Sequence, residues 1–307
     1  MAHPTLEDVA ARAGVSRALV SLVMRGSPKV AEQRRKAVLE AARELGYRPN
    51  MMARSLAAGR TGIIGVLLSD LGDPACAAVH DGLAEEAAHG DVRLLAATGR
   101  GRPARELAAL NDLLDLRPDG VILVEPRIAA ADIERAAAGC PVTVVGRSLR
   151  STHVDCVTGD DAAAVEQAIA HLAELGHHHP ACLDVGARPS PLRRACETAG
   201  LPVATTPDEL PRTATAVLAL GDTTGTTALT ALLRAGRRVP EDVSLIVHGT
   251  PPGAEAARVT TIAPPPADLG RLAMTALLSR IKDGPSAKPQ RLTVPPHLDP
   301  RATTAPA

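Results

Sequence analysis

Three consecutive histidines, His177-His178-His179, are the first residues to suggest chemistry, because imidazoles are metal ligands. Adjacent side chains on an extended segment point in different directions, and no Cys, His and carboxylate grouping at tetrahedral spacing accompanies them. No metal is therefore expected. Asp222-Thr223-Thr224-Gly225-Thr226 sets an aspartate before hydroxyls, the pattern of a phosphorylated carboxylate in an ion pump. Pumps need membrane helices, no run of about 18 apolar residues exists, and the string reads instead as a helix N-terminus. No P-loop, nucleophile elbow or HExxH string occurs, so neither catalysis nor a cofactor is expected. Cys76, Cys140, Cys156, Cys182 and Cys196 are odd in number and scattered, which argues against a disulfide framework. Met1-Ala2-His3-Pro4 leads straight into a helical pattern without a signal peptide, and the two observations together point to a reducing cytoplasm.

Charge suggests a different kind of work. Residues 1–60 hold 11 Lys and Arg against 5 Asp and Glu, a net of +6, whereas residues 61–307 hold 23 against 29, a net of −6. The neutral total conceals a basic head on an acidic body. A nucleic-acid duplex attracts the first through phosphate neutralisation and counterion release and repels the second. Charge alone also fits an ordinary solvated three-helix module.

The elements that would position a DNA-reading surface are legible in the head. Thr5 can cap a helix whose apolar stripe is Leu6, Val9, Ala10 and Ala13, with Glu7 and Asp8 at its positive end. Gly14 suits a sharp turn, Ser16 can cap a second helix, and Leu19, Val20 and Val23 give that helix a matching face. The pattern is a helix-turn-helix. A third helix is predicted from Ala31 to Leu45, with Val38, Leu39, Ala42 and Leu45 inward and Gly46 as its stop. Asn50 to Ala58 has the pattern of a further helix of about two turns, too short to be stable alone in water.

The body, about 245 residues, fits two α/β subdomains. Gly62–Leu68, Val92–Ala96, Gly120–Val124 and Pro141–Val145 read as buried parallel strands, each followed by an Ala- and Leu-rich helical stretch. Asp161–Leu175 reads as a helix, and Ala181–Val185, Ala216–Leu220 and Val243–Val247 read as strands of a second unit. A brief helix is predicted around Leu192–Thr198, and Pro266–Asp283 should return to the first unit.

TLEDVAARAGVS, GSPKV, ELGYRPN, ARSLAAGRTGIIGV and HLAELGH closely resemble the LacI/GalR family of bacterial transcriptional regulators, over nearly the whole chain. The resemblance implies an all-α helix-turn-helix head on an α/β, periplasmic-binding-protein-like (type I) body of two doubly wound subdomains. Its implied divisions are a DNA-binding domain at 1–48, a hinge at 49–60 and an effector and dimerisation domain at 61–307. Within the last, an N-subdomain would take 61–158 and 264–284, a C-subdomain 159–263 and 285–307, with three chain crossovers. It further implies a homodimer on a near-palindromic double-stranded operator, soluble rather than membrane-bound, most simply a repressor. Arg17 and Ala18 match the positions facing major-groove base edges; an Arg there can donate two parallel bonds to guanine O6 and N7, an Ala only a methyl contact. Leu22 departs from the Arg common in the family, so the operator should differ at that base pair. Ser16, Ser21 and Arg34 are candidate phosphate contacts, Ser16 equally a plain N-cap. Thr5, Leu6 and Arg25 complete the implied head contacts. In the hinge, Asn50, Ala53, Arg54 and Leu56 would meet the minor groove, Leu56 wedging between base steps.

The cleft between subdomains departs further. The single tyrosine, Tyr47, lies in the head, and the chain has no Phe or Trp, so the body cannot stack a sugar or purine on an aromatic ring. Asp73-Pro74-Ala75-Cys76 stands where the family tends to have NPFF, and Val247-His248-Gly249-Thr250 where it has GFDD. Asp73, Arg147, Arg193, Asp222 and His248 are the polar groups expected nearest an effector. Asp222 can equally cap a helix, Arg193 can pair with Glu197 one turn on, and His248 can be structural. A small polar or anionic effector would suit these groups; the alternative is a ligand-independent or nonspecific architectural DNA binder with a degenerate cleft.

Overall fold

The structure, a computed structural model, describes residues 4–24, 27–47, 60–90, 92–184, 191–220, 222–251, 253–284 and 287–307, with the backbone alone at 191 and 222–226. The chain divides into Met1–Thr61 and Gly62–Ala307. The predicted helix at Asn50–Ala58 lies outside the described residues.

In the first unit, α1 (Leu6–Ala13), α2 (Arg17–Met24) and α3 (Glu32–Glu44) close around Val9, Val20 and Val38, all fully buried. Thr5 and Asp8 form a reciprocal cap: the Thr5 Oγ1 accepts from the Asp8 amide, and the Asp8 carboxylate accepts from the Thr5 amide at 2.8 Å. These bonds hold the Asp8 carboxyl below its usual range. Gly14 ends α1 at φ 66°, where a Cβ is costly, and Ser16 caps α2 through its Oγ to the Leu19 amide at 3.2 Å. One inward position differs from expectation: Leu39 is 49% exposed and Ala41 takes its place in the core. Positions 38, 41, 42 and 45 follow the i, i+3, i+4, i+7 spacing of one helix face, which 39 does not.

Among the described residues, the second unit contains two six-stranded sheets. β1 (Ile63–Leu68), β2 (Arg93–Thr98), β3 (Gly120–Val124), β4 (Val142–Val145), β5 (Val154–Gly159) and β11 (Arg291–Val294) form the first, in the order β11-β5-β4-β3-β1-β2, all parallel. The helices α4 (Pro74–His89), α5 (Pro103–Asp115) and α6 (Ala130–Ala137) link its strands. The second sheet holds β6 (Pro180–Leu183), β7 (Val203–Ala204), β8 (Ala216–Ala219), β9 (Ser244–His248), β10 (Thr260–Ala263) and β12 (His297–Asp299), ordered β12-β10-β9-β8-β6-β7. Only the β12 pairing is antiparallel. Its helices are α7 (Asp161–Glu174), α8 (Pro191–Thr198) and α9 (Asp222–Arg234).

The chain crosses between sheets three times: after β5, after β10 and after β11. The last crossing corrects the expectation that 285–307 lies wholly in the second subdomain, because β11 pairs with β5 and only β12 onward joins the second sheet. β2 corrects another: it is an edge strand with Leu95 38% exposed, not a buried one.

The helix α10 (Pro266–Asp283) covers the first sheet, with Leu269, Ala273, Met274 and Leu277 sharing a core with Ile64, Leu83 and Ile122. It crosses α4 backbone to backbone: a Cβ on Gly82 would fall on the Ala267 carbonyl, and one on Gly270 on the Val79 carbonyl. Near its end Arg280 meets Asp155 of β5 in a buried two-bond pair, Nε–Oδ2 2.5 Å and NH2–Oδ1 2.6 Å. The Gln290 amide donates to the same Oδ1 at 2.6 Å, so one carboxylate ties the helix to the approach of β11.

The histidine tract resolves into one structural residue and two surface ones. His177 is buried, its Nδ1 2.9 Å from Thr215 Oγ1 and its Nε2 2.9 Å from the Ala305 carbonyl, while His178 and His179 are exposed. The carbonyl can only accept, so Nε2 carries a proton.

Candidate nucleic-acid interface and effector cleft

On the head, Arg17 and Ala18 are exposed at the start of α2, just after the Ser16 cap. Arg34 is exposed on α3. Leu22 is half-buried against the head core together with Leu6, so each offers only an edge to a groove. Thr5 is exposed but committed to its cap, and Ser21 is half-buried. Arg25, Asn50, Ala53, Arg54 and Leu56 lie outside the described residues. The sequence reading missed Glu7: its Oε1 lies 3.1 Å from the Arg17 Nε. Nothing in a ten-residue separation announces that pair, which the turn at Gly14 creates. The Tyr47 phenol is raised above its ordinary pKa by burial and then by the Glu7 charge.

In the body, a cavity of about 760 Å³ opens between the carboxyl ends of the two sets of strands, where ligands of open α/β sheets bind. One wall carries Cys76, Glu125, Arg147 and Thr158; the other carries Arg193, Arg194, Glu197 and His248. Asp161 at the start of α7 lines it too, its carboxyl raised by burial and then by neighbouring Asp160.

Three of the five expected residues line this cavity. Arg147 does so with its NH1 already donating to the carbonyls of Pro126 at 3.1 Å and Ile128 at 2.7 Å. The same loop is held from behind by buried Glu106, which accepts from the amides of Arg127 and Ile128. Arg193 pairs through Nε with Glu197 at 2.9 Å and lies 4.0 Å from buried Asp184. His248 stands at the end of β9, and burial pushes its pKa down to about 4, so the ring is neutral near pH 7. Asp73 is not in the wall; its Oδ1 caps α4 through the Ala75 amide at 2.9 Å. Asp222 opens α9, and its side chain is outside the described residues.

The sequence reading also passed over Glu125, Asp161 and Arg194. Glu125 directly follows a strand buried along its whole length, and a charged residue at the carboxyl end of such a strand is the signal that could have found it. Among the described residues, Asp73, Cys76 and Glu125 are the group that could hold a metal ion, their ligand atoms all within 4.8 Å. Burial raises the Cys76 thiol, which sits 3.2 Å from the Ser69 hydroxyl, so the sulfur is held as the poorer, protonated ligand.

Comparison with known proteins agrees with this anatomy. Residues 5–50 match bacterial regulatory proteins of the lacI family, 61–205 the periplasmic binding proteins and sugar binding domain of the LacI family, and 163–304 a periplasmic binding protein-like domain. The HTH-type transcriptional regulator CelR of Thermobifida fusca is 32% identical over 96% of this chain and 97% of its own length. The chain belongs to the LacI family. As a LacI-family protein it is a DNA-binding transcriptional regulator. Catabolite control protein A of Priestia megaterium is also 32% identical, but the match spans 67% of this chain and 62% of that relative's length. The structure of the Lac repressor dimer bound to operator and the anti-inducer ONPF superposes with a TM-score of 0.80, covering 99% of this chain and all of that one. At 24% identity this likeness speaks for the fold alone.

Proposed function

We propose that the protein is a cytoplasmic, non-catalytic repressor that binds a near-palindromic operator as a homodimer and responds to a small polar or anionic effector. The observation that carries the reading is Arg17, exposed at a capped helix N-terminus in a module with net charge +6. Two heads on a symmetric dimer call for two half-sites, in keeping with the related Lac repressor structure, a dimer on its operator. Ser16, Ser21 and Arg34 would fix register through phosphates, and the segment from Asn50 to Ala58 would supply the hinge with Leu56 as its wedge.

The cavity supports effector control. Its volume falls within the ~300–1,000 Å³ of small-molecule sites, and its charged lining suits a polar ligand that needs no aromatic platform. Arg194 is the cationic group to meet such a ligand first, since among the described residues its guanidinium makes no ion pair, whereas Arg147 and Arg193 are engaged. No helix among the described residues is long and apolar enough to cross a membrane.

Selection of bound sequences from a random duplex pool tests the reading, with affinity followed against salt. An enriched near-palindrome preferred by ~10³-fold or more over random duplex is the expected result. Binding without sequence preference would replace the repressor reading with that of a nonspecific DNA binder.

A further inference from the structure

Glu7 lies on α1, and its carboxylate reaches across the turn to the one side chain best placed to read a base. Both partners are exposed, Arg17 by 68% and Glu7 by 61% of their side chains, so the pair adds little to stability. Its effect is geometric. A guanidinium carries five N–H donors in a rigid planar fork, and the contact to Glu7 is made at the Nε edge, 3.1 Å away. The far end of the fork stays available for two parallel bonds to guanine O6 and N7. Arginine is otherwise long and rotamer-rich, and holding it before contact removes part of the ordering cost of binding. The backbone that carries this carboxylate is fixed: Glu7 stands between Thr5 and Asp8, whose reciprocal cap holds the first turn of α1. Its negative charge has a second effect, because a carboxylate at a phosphate-facing surface repels every duplex regardless of sequence.

We infer that Glu7 is a positioning residue for base recognition, which holds the Arg17 fork in its guanine-reading orientation and trades general DNA affinity for discrimination. This rests on the reading of Arg17 as a base contact.

The test measures affinity for the selected operator, for the three alternatives at each half-site base pair, and for random duplex. The proteins compared are the full chain and its Arg17→Ala, Glu7→Gln and Glu7→Asp variants, each first checked for unchanged thermal unfolding. Arg17→Ala is expected to erase preference at one base pair and so identify it. Glu7→Gln should lower preference at that same base pair by roughly fivefold, leave the others unchanged, and bind random duplex more tightly. Glu7→Asp keeps the charge but shortens the reach, and should lose the same discrimination without the gain on random duplex. Full preference retained at that base pair in either Glu7 variant would overturn the positioning role. Unchanged preferences throughout in Arg17→Ala would instead overturn the reading of Arg17 on which it stands.

Discussion

Replacing Asp155 by Asn should unfold the body at markedly lower temperature, although the two side chains are nearly the same size. Asp155 is fully buried and Arg280 is 4% exposed. The carboxylate accepts from Arg280 Nε and NH2 and from the Gln290 amide, while Arg280 also donates to the carbonyls of Ala287 and Lys288. An amide in its place keeps one acceptor oxygen and turns an NH2 donor toward another donor, leaving a buried guanidinium without its counter-charge. Breaking such a pair from one side costs about 3–5 kcal/mol. For a body of this size each kcal/mol lowers the Tm by ~2–4 °C, so the expected drop is roughly 6–20 °C at fixed protein concentration. Calorimetry and urea unfolding followed by far-UV circular dichroism measure it, and the urea slope should stay unchanged. Converting both partners, Asp155→Leu with Arg280→Met, removes the stranded charge and should restore part of the loss, the remainder reflecting the Gln290 amide that no longer has its acceptor. A loss below about 1 kcal/mol for Asp155→Asn, or a double variant no better than the single, would refute the argument that charge compensation, not shape, sets the cost.

Further outcomes follow from other sites. In the head, Val38→Ala should cost about 1–3 kcal/mol in urea unfolding and Leu39→Ala less than about 0.5, because only the first side chain is buried. Gly82→Ala should destabilise the body by about 1–3 kcal/mol in the same assay, since its methyl must displace the Ala267 carbonyl and separate two helices. His248 is held near 4 when folded and titrates near 6.5 when unfolded, so between those values the unfolded chain binds the extra proton. Stability from this group is therefore intact above about pH 6.5 and declines as the pH falls toward 4. The urea midpoint of His248→Gln should fall less over that window than that of the parent, and parallel curves would show that the ring does not titrate as its burial demands.

Punctuation and uninterrupted apolar runs made some elements legible from the residues alone. Pro266 and Gly284 bracket α10, and β3 is an apolar run between Asp119 and Glu125, so both appear at the predicted bounds. β5, β10, β11 and β12 were not visible, because Asp, Thr, Arg and His interrupt them and their partners come from distant sequence, as when Arg291 meets Cys156. The fate of charged side chains was hidden for the same reason. Arg147 could be placed near the cleft, but the carbonyls that engage it belong to a loop some twenty residues earlier, positioned by Glu106. Arg193 was the easier case, since its partner lies one helical turn away.

The late return of α10 and β11 also governs how the chain can be made. A ribosome that has released β5 has produced five of the first sheet's six strands, yet the helix covering one face ends only at Asp283 and the remaining strand at Val294. At ~5–20 residues per second that face waits roughly 6–25 s for its cover, with Ile64, Leu83 and Ile122 lacking the neighbours that later seal them. Chaperones thus have a defined window on the nascent protein. A chain cut short within that window cannot bury this surface, because the helix that seals it has not yet been made.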